Sequence, residues 1–187
     1  MSGIGILIIA AIIILPLVWV IGTYNSFVKI KQQIRESWSG IDTELKRRYD
    51  LIPNLIETVK GYAKHEREIF EKLAEARERA ISSTGNPKSQ AADENVLVGA
   101  LRQVFAVAEN YPDLKASERF GQLQAELANT ENRIQGARRF YNGNVRDLNA
   151  KVQMFPSNII ASMFKFGPEE YFEIEDVNMR QAPKVAF

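Results

Sequence analysis

The pattern of apolar and polar positions changes character once along the chain, near Tyr24. Residues 4–21 read IGILIIAAIIILPLVWVI, eighteen positions with no charge and no strongly polar side chain. As a helix at 1.5 Å per residue they cover about 27 Å, close to the ~30 Å hydrocarbon core of a bilayer. Ile4, Ile6, Leu7, Ile8, Ile9, Ile12, Ile13, Ile14, Leu15, Leu17, Val18, Trp19, Val20 and Ile21 are therefore expected to form a transmembrane anchor within residues 1–23. Pro16 is tolerated in such a helix with a kink, and Trp19 and Tyr24 favour the headgroup level. No Lys or Arg precedes Lys29 and no convincing small-residue cleavage site follows the run, which argues against a signal peptide. Lys29, Lys31 and Arg35 follow the run closely, so the charge rule puts the N-terminus outside and the rest in the cytoplasm.

From Tyr24 onward the apolar positions recur at helical spacing. Phe27, Ile30, Ile34, Trp38, Ile41 and Leu45 predict a first amphipathic helix. Asp50 as a cap and Pro53 in a first turn predict a break at residues 49–52. A second helix then follows with Leu55, Val59, Tyr62, Ile69, Leu73, Ala76 and Ala80 on its face, ending in the turn formers of residues 82–90. Asp93 is read as the cap of a short third helix through Leu97, Leu101, Val104 and Ala108 that stops at Tyr111-Pro112. The fourth is the longest, with a seam of Phe120, Leu123, Leu127, Thr130, Ile134, Ala137, Tyr141, Val145, Leu148, Val152 and Phe155. Strand-like alternation occurs only near Phe172 and Ile174. The expected fold is all-α, with an anchor followed by an antiparallel up-and-down four-helix bundle of unequal helices over residues 24–154. Residues 155–187 form an amphipathic segment and an acidic tail with Glu169, Glu170, Glu173, Glu175 and Asp176.

Composition narrows the chemistry. The 24 Lys and Arg nearly balance 23 Asp and Glu, which argues against a nucleic-acid partner. The absence of cysteine removes disulfides, thiolate metal sites and cysteine nucleophiles. The one histidine, His65, is too few for a helical-bundle di-iron site and is read as exposed. No phosphate-binding or nucleophile-elbow motif occurs, so no catalytic residue, metal, cofactor or small-molecule substrate is expected.

Two surfaces remain as candidates. Phe155, Ile159, Ile160, Met163 and Phe164 fall on one face of a short helix opened by Pro156, a candidate second contact with lipid or another subunit. The same face has an equally good reading as a cap on the bundle core. Lys46, Arg47 and Arg48, placed by the expected turn at a helix end, form a candidate docking site, although the helix dipole alone accounts for cations there.

Several stretches resemble one family. Residues 38–66 (WSGIDTELKRRYDLIPNLIETVKGYAKHE), 109–116 (ENYPDLKA), 130–142, Phe155-Pro156 and 171–173 (YFE) are similar, in order, to the signatures of the LemA family. The resemblance implies a membrane-anchored bacterial helical bundle without established catalytic residues, and a magnetosome-associated relative hints at membrane organisation. The resulting expectation is a noncatalytic scaffold of the cytoplasmic membrane that self-associates into a homo-oligomer and recruits partners. The alternative is an adaptor subunit that docks a membrane protein through the turn at Lys46–Arg48. Arg133 and Arg138 are expected to pair with Glu44 or Glu57.

Overall fold

A computed structural model describes residues 3–83 and 85–174. Among these the chain is all-helical: α1 Gly3–Lys60, α2 Arg67–Ser82, α3 Pro87–Ala108, α4 Pro112–Lys115, α5 Glu118–Gln153 and α6 Ser157–Met163. Two compact units result. Among the described residues, the first takes 3–39 and 139–169, and the second the rest of 40–138 together with 170–174.

The expected break at residues 49–52 does not exist, because α1 runs through it to Lys60. Pro53 lacks the N–H that would bond the Tyr49 carbonyl one turn earlier, which normally weakens a helix interior. Here Arg77 Nε donates to that carbonyl at 2.8 Å, so the orphaned acceptor is satisfied from α2. The true turn lies at residues 61–66, where Val59 O accepts from both Tyr62 N and Ala63 N. Its Glu66 accepts from the Tyr111 hydroxyl at 3.4 Å.

The second correction concerns α3, which starts at Pro87 rather than Asp93. Asn86 caps it, its Oδ1 accepting from Ser89 N at 2.9 Å, and Pro87 fills the first turn where its missing N–H costs nothing. Asp93 is used otherwise, accepting from Arg79 Nε at 2.5 Å. Residues 171–174 form no strand, yet Phe172 and Ile174 are buried in the second unit.

Most of the expected seam of α5 is buried, with Leu123, Ala137 and Val152 half-buried. Phe120, Leu127, Thr130, Ile134, Tyr141, Val145 and Leu148 are buried, and Phe155 at its end is not. In the first unit Phe27 and Ile34 are buried, and Trp38 packs on Tyr141 with ring centroids 5.3 Å apart. Asn144 Nδ2 donates to Ser37 Oγ at 3.3 Å, and Asn149 holds the Glu169 backbone through two bonds of 2.9 and 3.0 Å. In the second unit Arg133 pairs with Glu44 at 3.7 Å, as expected, whereas Arg138 donates to the Ile174 carbonyl at 2.6 Å.

Helix α6 ends in a left-handed turn that re-aims the chain. Lys165 adopts φ 57°, Phe166 N–H bonds Ala161 O at 2.8 Å, and Lys165 N–H bonds Ser162 O at 3.3 Å. This is the double-bonded C-terminal cap in which glycine is usual. It delivers the Phe166 ring onto Phe27, centroids 4.8 Å apart and nearly parallel.

Three substitutions check these local devices. Arg77→Ala should cost about 1–3 kcal/mol by leaving a carbonyl of the α1 interior unpaired. Arg79→Ala, which removes only an exposed pair, should cost under ~1 kcal/mol. Lys165→Gly should raise stability by about 0.5–1 kcal/mol, the left-handed strain relieved less the entropy glycine loses. Thermal unfolding of the full chain in detergent measures all three.

Candidate functional site

The anchor residues lie on the first third of α1. Ile4, Leu7, Ile9, Ile12, Ile13, Ile14, Leu15, Leu17, Val18, Trp19 and Ile21 are exposed and Val20 is partly so, while the side chains of Ile6 and Ile8 lie outside the described set. This helix is long and apolar enough to cross a membrane, and its apolar side chains are not consumed by the core.

The short helix that follows α5 meets α1 just beyond the apolar run. Phe164 stands edge-on to Tyr24 at 4.8 Å, and Phe166 lies 5.6 Å from the same ring. The five residues expected to share one face divide. Ile160 is 1% exposed and turns inward with Ala161, whereas Phe155 is 79%, Met163 65%, Ile159 50% and Phe164 44% exposed. The physical reason is the helical step: 159 and 163 lie four apart on one stripe of α6 and Ile160 is about 100° away from 159, while Phe155 lies in the turn before the helix. Lys151 borders the cluster, its ammonium 5.1 Å from the Phe27 ring centroid and donating to Ser26 Oγ. Burial pushes its amine below the usual lysine range.

The basic cluster is a correction. With no turn at residues 49–52, Lys46, Arg47 and Arg48 sit in mid-helix instead of at a helix end. Lys46 pairs along the helix with Asp42 at 2.7 Å and Arg47 is exposed. Arg48 is 1% exposed and is not offered to a partner protein. It extends the seam of Ile41 and Leu45 toward Ile52, Leu55 and Val59, a charge in a row of core positions.

That charge is met inside the second unit. Arg48 donates to Glu131 at 2.7 Å through one terminal nitrogen and to Glu94 through the other, and the Tyr49 hydroxyl also donates to Glu94. Arg48 Nε has no hydrogen-bond partner. Burial pushes the Glu94 carboxyl above the usual range, against the pull of Arg48 and the Tyr49 hydroxyl. The Tyr49 phenol is pushed up as well, first by burial and then by the charge of Glu94. Sequence reasoning missed Tyr49, Glu94 and Glu131. The signal for Glu94 is its place among Ala91, Leu97 and Leu101, steps of 3 and 4 along a buried face.

Beside the network lies a cavity of about 380 Å³, partly open and bordered by residues of α1, α3 and α5 and by Ile174. Arg48, Arg102, Arg138 and Glu131 supply its charged lining. Among the described residues no group of three His, Asp or Glu side chains is placed to hold a metal, and His65 is exposed in the turn at residues 61–66.

The network makes stability depend on pH in a definite direction. A folded-state carboxyl held above its unfolded value of 4.5 retains a proton that the unfolded chain releases first. Its stabilisation is full below that pH and is lost as pH rises through the folded value. The melting-temperature gap between the wild type and Glu94→Gln should therefore be widest near pH ~4 and narrow toward pH ~8. A gap that widens with pH would mean that the ionised carboxylate is the favoured form.

A family profile described as the LemA family matches residues 37–187. Magnetosome protein MamQ 2 of Paramagnetospirillum magneticum is 24% identical over 175 residues, covering 80% of this chain. The chain spans 64% of the length of that relative. Magnetosome protein MamQ of Magnetospirillum gryphiswaldense is 24% identical over 191 residues, covering 87% of this chain and 70% of the relative. Protein LemA of Metamycoplasma hominis is 26% identical over 160 residues, with 84% and 72% covered. With the apolar helix, the ordered motifs and the profile match in agreement, the chain belongs to the LemA family.

Proposed function

We propose that this protein is a noncatalytic, membrane-anchored helical scaffold that contacts the bilayer twice and organises the membrane by self-association and partner recruitment. The observation that carries the reading is an apolar surface within the first unit that does not stop at the anchor. The exposed residues of α1 lead to Tyr24, Tyr24 packs on Phe164, and Phe164 adjoins the exposed Met163, Ile159 and Phe155. Contiguous exposed apolar surface of this kind marks membrane or protein contact.

Orientation with the helical domain in the cytoplasm rests on Lys29, Lys31 and Arg35 after the run. An antiparallel four-helix bundle is favoured by the pairing of α1 with α5. In the first unit Ser26, Ser37 and Trp38 meet Lys151, Asn144 and Tyr141 in descending order. In the second unit Glu44 and Arg48 meet Arg133 and Glu131 in the same sense. Similarity to magnetosome proteins supports an organising role over a catalytic one.

The chain has no cysteine, so single-cysteine spin labels test the second contact directly. Labels at Ile159→Cys and Met163→Cys in reconstituted vesicles should show oxygen access and protection from aqueous nickel, as at a membrane interface. A label at Gln124→Cys should behave as a water-exposed one. Aqueous behaviour at both 159 and 163 would refute the lipid contact, and a monomer at every concentration by native mass analysis would refute self-association.

A further inference from the structure

We propose that Lys165 binds the phosphate of an anionic phospholipid, which makes the second membrane contact selective for lipid charge. The inference rests on that contact as proposed above and adds the chemical class of the lipid. Lys165 adopts φ 57° just beyond α6, a backbone conformation in which glycine is the favoured residue. Any side chain with a Cβ is strained there. Packing gives no account of the lysine, because its side chain is exposed. Glu169, the carboxylate nearest to it in sequence, is taken by Lys31 at 3.4 Å. None of the ion pairs among the described residues includes Lys165. Strain kept at such a position points to use of the side chain itself.

Its surroundings select a lipid. Lys165 stands in the chain between Phe164 and Phe166, and both rings pack on Tyr24, with centroids 4.8 and 5.6 Å away. Tyr24 closes the apolar run of α1, where an amphipathic ring favours the headgroup layer. The ammonium is thereby carried to the level of the lipid phosphates, with exposed Met163 two residues away to meet the acyl chains. A soluble anion or an acidic protein would use the charge but leave Met163, Ile159 and Phe155 without apolar cover. A zwitterionic headgroup carries an ammonium of its own beside the phosphate, so an unpaired lysine favours an anionic one. The first unit adds to this field, with seven Lys and Arg against three Asp and Glu in a chain whose totals are 24 and 23.

The test uses the full chain in phosphatidylcholine vesicles, with a fluorophore on Met163→Cys and, independently, on Ile159→Cys. Phosphatidylglycerol or phosphatidylcholine with a nitroxide on the upper acyl chain is added as quencher at equal mole fraction. Quenching by the phosphatidylcholine probe reports the lipid contact itself, and any excess with phosphatidylglycerol reports selectivity for charge. Phosphatidylglycerol should associate about fivefold more strongly, the effect of one lysine at an anionic surface. The preference should fade in about 1 M salt. Lys165→Gly should remove most of it while raising the melting temperature of the detergent-solubilised chain, an opposition that a merely structural role would not produce. Lys165→Asn, also tolerated in left-handed backbone, should remove it too, and Lys165→Arg should keep it. Lys29→Gln, which removes an exposed cation roughly 200° around α1 from Phe27, should change it little. Equal quenching by the two probes, or equal losses for Lys29→Gln and Lys165→Gly, would overturn the proposal and leave the lipid contact standing. Absence of quenching by either probe would overturn both. A preference lost on adding inorganic phosphate at constant ionic strength would assign the lysine to a soluble anion and overturn the lipid.

Discussion

A guanidinium at a core position of a helix must find its counter-charges inside the core, and in the second unit that requirement organises the packing. Arg48 occupies a step of the seam that Ile41, Leu45, Ile52 and Leu55 otherwise fill with hydrocarbon. Its partners come from two other helices, Glu94 from α3 and Glu131 from α5. A hydrophobic side chain at residue 48 would accept many neighbouring registers of α3 and α5. A charge with directional donors accepts few. The interaction therefore contributes registry more than net stability, since desolvating the ions offsets much of their attraction. Tyr49 adds a second donor to Glu94, so a shift of α3 by one residue would strand that carboxylate in the interior.

The same interaction explains what was legible in the sequence and what was not. The all-helical fold and the seam of α5 follow from periodicity, because burial of a stripe requires a repeat of 3 and 4, and the apolar start of α1 follows from an uninterrupted apolar run. The position of the first turn did not. Asp50 and Pro53 form a respectable helix start, and the feature that cancels it, Arg77 donating to the Tyr49 carbonyl, lies 28 residues away. Local signals cannot report a partner at that distance. Once the helix was cut there, Arg48 became a terminal cation and its place on the seam was hidden. For the same reason Asp93, read as a cap, hides Glu94 from view, although Asn86 with Pro87 supplies a better cap seven residues earlier.

Helix α1 also changes character along its length. Up to Ile21 its side chains are apolar on every side, and from Phe27 onward only one stripe is buried. The changeover is marked by aromatic contacts, with Tyr24 and Phe27 receiving Phe164 and Phe166 from beyond α5. Sequence periodicity placed Ile160 with its neighbours on one apolar face, but the short helix needs one side chain to hold it to the unit. Ile160 serves that role, and the left-handed turn at Lys165 brings Phe166 back as a second attachment.

A single apolar helix in a bilayer has its depth set by length, but its rotation about its own axis is set by little else than interfacial anchors. Under the proposed function, the exposed cluster at Phe155, Ile159 and Met163, tied to Tyr24 through Phe164, would add a lateral contact at the level where the span ends. In a membrane, rotating the helix would lift those side chains out of the interface, at the cost of exposing their apolar area to water. Two such contacts would define an orientation where one defines only a depth. For a scaffold that associates with copies of itself, a fixed orientation means that every copy presents the same face to its neighbour, which a freely rotating anchor would not ensure.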